Sequence, residues 1–256
     1  MKCAVSDFDR TLYVERMISD EDKNAVINWQ KSGNLFVIAT GRNLGTIKPI
    51  FDFYGFLPDF WILNNGAIIA DRDGKTLFIK LIPRETALAV LRYLQTVNND
   101  GSGVSLIDRK ICLLSEKGIS TQKACDGGTI PADQLESLDN IVQIHRRNMN
   151  LKHIKALCHD VEEHFPEVSA YANLWNGDIV AKGVDKAVAV KWLEEHFPQI
   201  KQIRCIGDSV NDLGMIRDYQ GAVPDAADPE IKKEATQIVS KDKIKVKSKS
   251  RLPGLE

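Results

Sequence analysis

The stretch Cys3-Ala4-Val5-Ser6-Asp7-Phe8-Asp9-Arg10-Thr11 joins a short apolar run to a pair of carboxylates. The run has the length of a buried strand, and Asp7 and Asp9 follow it at once. A continuous apolar run is typical of a strand in a parallel sheet that is covered on both faces. We therefore expect a strand near the start of the chain that brings two acidic side chains to a sheet edge.

The same arrangement returns twice farther along the chain. The apolar run Leu35–Ala39 is followed by Thr40-Gly41-Arg42, and Ile203–Ile206 is followed by Gly207-Asp208-Ser209-Val210-Asn211-Asp212. Helical spacing between such runs predicts right-handed strand–helix crossovers. The sequence thus predicts an α/β fold with a Rossmann-like, three-layer parallel sheet. Because the carboxyl ends of parallel strands share one edge, we expect the three polar clusters to meet there.

The middle of the chain has a different pattern, with runs of short strands beside two helices between residues 83 and 181. This pattern favours an α+β unit inserted into the α/β one. We predict a core made of residues 1–82 and 182–256, with residues 83–181 as the inserted unit.

Charge and composition exclude several classes of protein. Lys and Arg total 34, Asp and Glu total 35, and the formal net charge is -1. A general binder of nucleic acid or of a membrane surface would carry a basic excess, so neither partner is expected. No signal peptide or membrane-spanning run is recognisable. The five cysteines form no CxxC, and we interpret all of them as reduced thiols of a cytoplasmic protein.

The converging clusters would bring four carboxylates into one crevice, from Asp7, Asp9, Asp208 and Asp212. Two such charges about 4 Å apart repel by roughly 4 kcal/mol at an effective dielectric constant near 20, so a cation is needed. Oxygen ligands without histidine or cysteine select a hard ion, most commonly Mg²⁺. The five histidines all lie in the second half of the chain, where we expect them in packing or surface roles.

A metal ion beside spare carboxylates suits phosphoryl transfer. The ion neutralises phosphate oxygens, one carboxylate attacks phosphorus, and another moves a proton. A Thr-Gly pair at a strand end, such as Thr40-Gly41, holds a phosphate oxygen through its hydroxyl and its exposed backbone N–H groups.

Four motifs in order resemble those of the haloacid dehalogenase superfamily: DFDRT at 7–11, TGR at 40–42, the lysine of GVDK at 183–186, and GDSVND at 207–212. Their order and spacing resemble the Cof-type phosphatases of subfamily IIB, as does Asn65-Gly66-Ala67. An α/β cap between the second and third motifs of that family corresponds to residues 83–181. The chain departs from the family pattern at Arg10, where glycine is usual, at Ala187, and at Pro224-Asp225-Ala226.

The resemblance implies a role for each residue that matches a motif. Asp7 would be the nucleophile and would form an aspartyl-phosphate, while Asp9 would act as general acid and then base. Mg²⁺ would be held by Asp7, by the Asp9 backbone carbonyl and by Asp208. Lys186 would offset the charge on Asp7 and on the phosphoryl oxygens.

The remaining matches imply binding or supporting roles. Thr40 and Gly41 would bind the phosphoryl group, and Asn65 would bind phosphate or substrate. Asn211 and Asp212 would bind substrate or support the metal site and Lys186. Arg42 suits either a phosphate contact or a salt bridge at the helix start. The last strand pair of the inserted unit also offers candidate substrate contacts: Tyr171, Asn173, Trp175, Asn176 and Asp178.

The resemblance thus implies a Mg²⁺-dependent phosphatase that acts on small phosphorylated metabolites, with sugar phosphates as the expected class. Two alternatives stay open. Related folds include phosphomutases, which return the phosphoryl group to the substrate. A non-catalytic regulator that senses a phosphorylated ligand would keep the fold, although intact Asp7, Asp9, Lys186 and Asp208 argue against it. The oligomeric state is not indicated.

Overall fold

The computed structural model describes residues 1–97, 101–114, 125–173 and 175–240. The strands are β1 (Lys2–Asp7), β2 (Leu35–Ala39), β3 (Phe60–Leu63), β4 (Ile68–Asp71), β5 (Thr76–Ile79), β6 (Ser102–Ser105), β7 (Lys110–Leu113), β8 (Thr129–Ile130), β9 (Gln143–Arg147), β10 (Val168–Asn173), β11 (Asn176–Ala181), β12 (Gln202–Ile206), β13 (Ala222–Pro224) and β14 (Gln237–Val239). The α-helices are α1 (Asp20–Lys31), α2 (Leu44–Tyr54), α3 (Arg84–Val97), α4 (Leu151–His164), α5 (Lys186–His196), α6 (Leu213–Asp218) and α7 (Pro229–Lys232).

The larger sheet has eight strands in the order β14-β13-β12-β1-β2-β3-β4-β5. All neighbours from β14 to β3 are parallel, whereas β4 and β5 are added as antiparallel strands. Strand β1 lies between β2 and β12, so the ends of these three strands are side by side. This order brings the three polar clusters of the sequence to one edge of the sheet.

The central strands β1, β2 and β3 of this sheet are largely buried on both faces, as their apolar runs predict. In β2, Val37 packs in one core cluster with Val190 of α5, while the next residue, Ile38, packs in a second cluster with Phe51 of α2. Helices therefore cover both faces of the sheet. The predicted α/β class with a three-layer, Rossmann-like sheet is confirmed.

The smaller sheet has six strands in the order β10-β11-β9-β6-β7-β8. All six strands lie between residues 102 and 181. Together with helices α3 and α4, they occupy the part of the sequence between β5 and α5. We call the elements from Arg84 to Ala181 the inserted unit. The exact domain limits, 1–82 and 182–256 against 83–181, stay a prediction, and residues 241–256 lie outside the described residues.

One prediction about the cysteines is wrong. Cys112 and Cys125 form a disulfide, whereas Cys3, Cys158 and Cys205 are free and buried. The backbone N–H of Cys112 donates to the carbonyl of Gly128, and this contact brings the turn after Cys125 alongside β7. A separation of 13 residues without a CxxC gives no sign of this pairing in the sequence.

The reduced-thiol argument for a cytoplasmic location therefore loses its basis, and that location stays a prediction. None of the helices in the described part of the chain combines the length and the apolar composition that a membrane crossing requires.

Candidate active site

The ends of β1, β2 and β12 bring the predicted carboxylates and the Thr-Gly turn together. Asp7 is the last residue of β1 and pairs with Ala39, which directly precedes Thr40. The hydroxyl of Thr11 donates to Asp208 Oδ1 at 3.1 Å, joining the first motif to the fourth across the sheet edge. Residues from the start and the end of the chain thus form one site, as the parallel topology predicts.

Lys186 is the first residue of α5 and points into the carboxylate cluster. Its Nζ lies 2.6 Å from Asp7 Oδ1 and 2.6 Å from Asp212 Oδ1, and its side chain is 1% exposed. The helix begins here because the Asp185 side chain caps it by accepting from the N–H of Val188. Although burial alone would lower the pKa of Lys186, Asp212 and Asp7 raise it above its usual value, so the ammonium stays charged.

Asp212 shapes the loop that carries Asp208. Its Oδ2 accepts from the N–H of Asp208 at 3.0 Å and from the N–H of Ser209 at 3.1 Å, while its Oδ1 binds Lys186. Both carboxylate oxygens are therefore occupied by contacts within the chain. This geometry suits the supporting role that the sequence predicts for Asp212.

Asp7, Asp208 and Asp212 form a cluster in which one carboxylate oxygen of each residue lies within 4.8 Å of the corresponding oxygens of the other two. Burial raises the pKa of Asp7 well above its usual value, an effect that Lys186 opposes. Burial also raises the pKa of Asp208, to about 6, with Arg10 opposing and Asp212 adding to the shift. Hard oxygen donors of this kind fit Mg²⁺, since a bound cation would compensate the buried charge.

Arg10 already contacts this cluster, because its Nη2 lies 2.6 Å from Asp208 Oδ2. Its backbone φ is 65°, in the left-handed region that favours glycine. The departure from the usual glycine therefore places a guanidinium on one of the predicted metal ligands.

The carboxylate of Asp9 lies outside this cluster and is held by Arg42. The Arg42 Nε and Nη2 donate to Asp9 Oδ2 and Oδ1 at 2.8 and 2.6 Å, and the guanidinium lies over the rings of Phe8 and Tyr13. Of the two uses that the sequence left open for Arg42, the structure contains the salt bridge. The Asp9 side chain is 47% exposed, so it remains accessible from solvent.

The Thr40-Gly41 turn follows β2 beside Asp7. Thr40 is buried, and its Oγ1 accepts from the N–H of Arg42 at 3.2 Å. A Cβ on Gly41 would lie 3.2 Å from Asn65 Nδ2 and 3.2 Å from Asp178 Oδ2, so glycine permits a close approach here.

Asn65 and Asn211 are brought together, although they lie 146 residues apart. Asn211 Nδ2 donates to Asn65 Oδ1 at 3.0 Å, and Asn65 Nδ2 donates to Asp178 Oδ2 at 3.1 Å. Asn65, predicted to bind phosphate or substrate, thus has both ends of its amide engaged within the protein. Asp178 is the candidate from the inserted unit that reaches this site.

The other candidates from the inserted unit take varied positions. The Tyr171 hydroxyl donates to the carbonyl of Val184, and the Trp175 ring lies beneath the guanidinium of Arg147. Asn173 and Asn176 pair with each other where β10 and β11 meet.

His145 is a residue that the sequence argument missed. It is buried, its Nδ1 lies 3.0 Å from Asp178 Oδ1, and its Nε2 lies 2.7 Å from the hydroxyl of Ser105. Burial lowers the pKa of His145, with Lys110 adding to the shift and Asp178 opposing it. The signal for this site is the polar alternation of Gln143 and His145 around Ile144 in β9.

Asp178 keeps its charge inside this polar cluster. Burial alone would raise its pKa, but hydrogen bonds from His145 and Asn65 hold the pKa below its usual value. The inserted unit therefore presents a buried carboxylate to the core.

Comparison with known proteins agrees with this geometry. The family model for haloacid dehalogenase-like hydrolases matches residues 4–244. The chain belongs to this family. The resemblance drawn from the four motifs is therefore confirmed at the level of the family.

The curated relatives of this chain are distant in sequence. An uncharacterised protein of Mycoplasma capricolum is 32% identical over 104 residues, which make up 38% of this chain and 39% of the relative. A Bacillus subtilis phosphatase is 31% identical over 100 residues, 38% of this chain and 34% of that protein. The matched segments thus span well under half of these two relatives. A 5-amino-6-(5-phospho-D-ribitylamino)uracil phosphatase of Bacillus subtilis is 24% identical over 95% of this chain and 91% of its own length.

Solved structures share the whole fold of this haloacid dehalogenase-like chain. A haloacid dehalogenase-like hydrolase from B. subtilis has a TM-score of 0.80 at 20% identity and covers 94% of this chain and 95% of its own. A sugar phosphatase of the haloacid dehalogenase subclass IIB has a TM-score of 0.77 at 18% identity, with 94% of each chain covered. The fold, including the inserted unit, is therefore that of known members of the superfamily.

Proposed function

We propose that this protein is a Mg²⁺-dependent phosphatase that hydrolyses small phosphorylated metabolites through an aspartyl-phosphate on Asp7. The observation that carries the proposal is the contact between the Lys186 ammonium and Asp7 Oδ1 at 2.6 Å, beside the carboxylate of Asp208. A carboxylate held by one buried cation next to a site for another is poised to meet a phosphate dianion without net repulsion.

The first step transfers the phosphoryl group to the protein. An oxygen of the Asp7 carboxylate forms a bond to phosphorus as the bond from phosphorus to the leaving oxygen breaks. Asp9 gives its proton to that leaving oxygen, so the product departs as an alcohol. In the second step Asp9 takes a proton from water, the water oxygen bonds to phosphorus, and the bond to Asp7 breaks to release inorganic phosphate.

Lys186 and the Thr40-Gly41 turn would hold the phosphoryl oxygens during both steps. The buried ammonium of Lys186 and the backbone N–H of Gly41 suit the negative charge that moves over these oxygens, whereas the Thr40 N–H donates to the carbonyl of Ile62. Asp7, Asp208 and the backbone carbonyl of Asp9 would hold Mg²⁺. When bound, this ion neutralises phosphate charge and orients the group for in-line attack.

The salt bridge between Asp9 and Arg42 bears on the first step. Both oxygens of the Asp9 carboxylate accept hydrogen bonds from Arg42, so the Asp9 side chain must leave Arg42 before it can meet the leaving oxygen. Since both side chains are partly exposed, this release requires no unfolding of the core.

We also propose that the inserted unit acts as a cap that closes over the leaving group. Its Asp178 reaches the core beside Gly41, next to the turn that would hold phosphate. A polar wall with hydroxyl, amide, imidazole and carboxylate groups suits a leaving group with several hydroxyls, and this chemistry supports sugar phosphates as the substrate class. The named substrates of the relatives, a ribitylamino-uracil phosphate and a sugar phosphate, are of this kind.

The test is phosphate release by the purified protein from p-nitrophenyl phosphate and from a panel of sugar phosphates, with Mg²⁺ and with EDTA. We expect release that requires Mg²⁺ and that is abolished in Asp7→Asn, while the exposed variant Asp73→Asn behaves as wild type. Transfer of phosphate to a second position of a sugar without release would indicate a phosphomutase. Tight binding of a phosphorylated ligand without turnover would indicate a regulator.

A further inference from the structure

Asn65 connects the inserted unit to the catalytic loop of the core, which we define as residues 207–212. It is 1% exposed, and its side-chain amide is used at both ends. Nδ2 donates to Asp178 Oδ2 in β11, and Oδ1 accepts from Asn211 Nδ2 in the loop after β12. Because a buried amide group that loses its partner is costly, each contact favours the other.

On the core side, the hydrogen bonds continue from Asn211 to Lys186. Asn211 Oδ1 accepts from the Ser209 hydroxyl at 2.8 Å, and the Ser209 N–H donates to Asp212 Oδ2. The other oxygen of Asp212 binds the Lys186 ammonium. The position of Asn211 is therefore linked to the position of the cation that contacts Asp7.

On the side of the inserted unit, Asp178 is held from behind. Its Oδ1 contacts His145, which is its cross-strand partner in β9, and His145 contacts the hydroxyl of Ser105 in β6. Three neighbouring strands thus fix the carboxylate that meets Asn65. Movement of the inserted unit away from the core would remove this carboxylate from Asn65.

The backbone of Asn65 also suits this position. Its φ of 56° lies in the left-handed region, which asparagine and aspartate tolerate better than most residues. Gly41 leaves room for the contact, since a Cβ there would lie 3.2 Å from both the Asn65 and the Asp178 side chains. The junction therefore lies directly against the turn that would hold phosphate.

We propose that Asn65 is a positioning residue that couples docking of the inserted unit to the arrangement of the catalytic loop 207–212. When Asp178 docks on Asn65, the amide is oriented to accept from Asn211, and the loop that carries Asp208 and Asp212 is ordered. This inference rests on the proposed phosphatase function for its kinetic test only. In this role Asn65 acts through its contacts with Asp178 and Asn211 and does not touch the substrate.

The test exchanges the two partners of the hydrogen bond. Asn65→Asp places two carboxylates against each other, whereas Asp178→Asn leaves an acceptor for Asn65 Nδ2. The double variant N65D/D178N restores the pair with its direction reversed, because the carboxylate at 65 accepts both from the amide at 178 and from Asn211. A matched control is Asn140→Asp, an exposed asparagine of the inserted unit whose φ is 55°.

The first readout is steady-state hydrolysis of p-nitrophenyl phosphate. We expect N65D to lower kcat by about tenfold or more, and the double variant to recover to within about threefold of wild type. Asn140→Asp should change neither kcat nor KM. A double variant no better than N65D would overturn the coupling, as would wild-type kinetics in N65D.

The second readout is amide hydrogen exchange, which needs no turnover. N65D should increase exchange both in β11 and in residues 207–212, and the double variant should reverse both changes. Faster exchange in β11 alone would contradict the coupling even if the protein is a phosphatase. Conversely, coupled exchange in a protein that releases no phosphate would support the inference and refute the proposed function.

Discussion

Lys186 and Asp7 lie 179 residues apart in the sequence, yet the Lys186 Nζ is 2.6 Å from Asp7 Oδ1. The lysine is the first residue of α5, where the helix dipole disfavours a cation by about 0.3–1 kcal/mol. The carboxylates of Asp7 and Asp212 offset this cost. The helix start thus delivers a buried cation to the candidate nucleophile.

Replacement of Lys186 by alanine should lower kcat by about 10²–10³-fold, since preorganised charge acts where charge moves in the transition state. The variant should also lose stability, by about 3–5 kcal/mol, because two buried carboxylates lose their counter-ion. Kinetics per folded molecule, with the folded fraction measured by urea denaturation, separate the two effects. Lys182→Ala is the control, since Lys182 is exposed, and it should alter KM more than kcat. A larger kcat loss in Lys182→Ala than in Lys186→Ala would show that the role assigned to Lys186 belongs to Lys182.

Replacement of Asp9 by asparagine should have an effect that depends on the leaving group. An alkyl phosphate needs a proton on its leaving oxygen, so hydrolysis should fall by about 10²–10⁴-fold. p-Nitrophenolate leaves without a proton, and its formation in the first turnover should be affected much less. The measurement is the ratio of burst rates for the two substrates in wild type and variant. An equal loss for both substrates would exclude Asp9 as the acid.

Replacement of Arg10 by glycine should strengthen Mg²⁺ binding. The Arg10 guanidinium lies on Asp208 Oδ2, so it competes with a metal ion for that oxygen. In the wild type, Mg²⁺ must displace this partly exposed ion pair, which is worth about 1 kcal/mol. Without that cost, the affinity for Mg²⁺ should rise by about fivefold. Titration calorimetry with Mg²⁺ alone measures this without turnover.

The control for Arg10 is Arg16→Gly, because Arg16 is exposed and also has a positive φ, of 63°. This variant relieves a similar backbone conformation without touching Asp208. Equal Mg²⁺ affinities in wild type and Arg10→Gly would show that the guanidinium leaves Asp208 at no cost.

Replacement of Gly66 by alanine should destabilise the junction between β3 and α5. Its φ is 105°, and an added Cβ would lie 2.3 Å from the backbone carbonyl oxygen of Asp185, the residue that caps α5. We expect a loss of unfolding free energy of about 1–3 kcal/mol beyond that of Gly33→Ala. Gly33 also has a positive φ, of 77°, but nothing lies within 4 Å of its added Cβ. Urea denaturation of both variants gives the difference, and equal losses would argue against the close contact.

Much of the fold was predictable because its signals are local. The apolar runs of β1 and β2 indicate buried parallel strands, and Ser19, a residue type that favours helix N-caps, caps α1. The rule that parallel strands end at one edge then sufficed to bring the three polar clusters together. The match of the family model confirms the assignment that those clusters allowed.

The contacts between distant side chains were not predictable in the same way. No local pattern pairs Cys112 with Cys125, aims His145 at Asp178, or places Arg10 on Asp208. Each of these contacts depends on how separate strands and loops are placed in space, which a periodicity of two or 3.6 residues does not encode.

The sequence by itself determined the elements, the strand ends and the residue types at the site, since hydrophobic periodicity and chain chirality act over short distances. Only the tertiary structure decided which carboxylate each cation meets and where the inserted unit meets the core. The physical reason is that Asn65, Asp178 and Asn211 form hydrogen bonds with one another across the junction, and a buried hydrogen bond requires its partners to be placed to within fractions of an ångström.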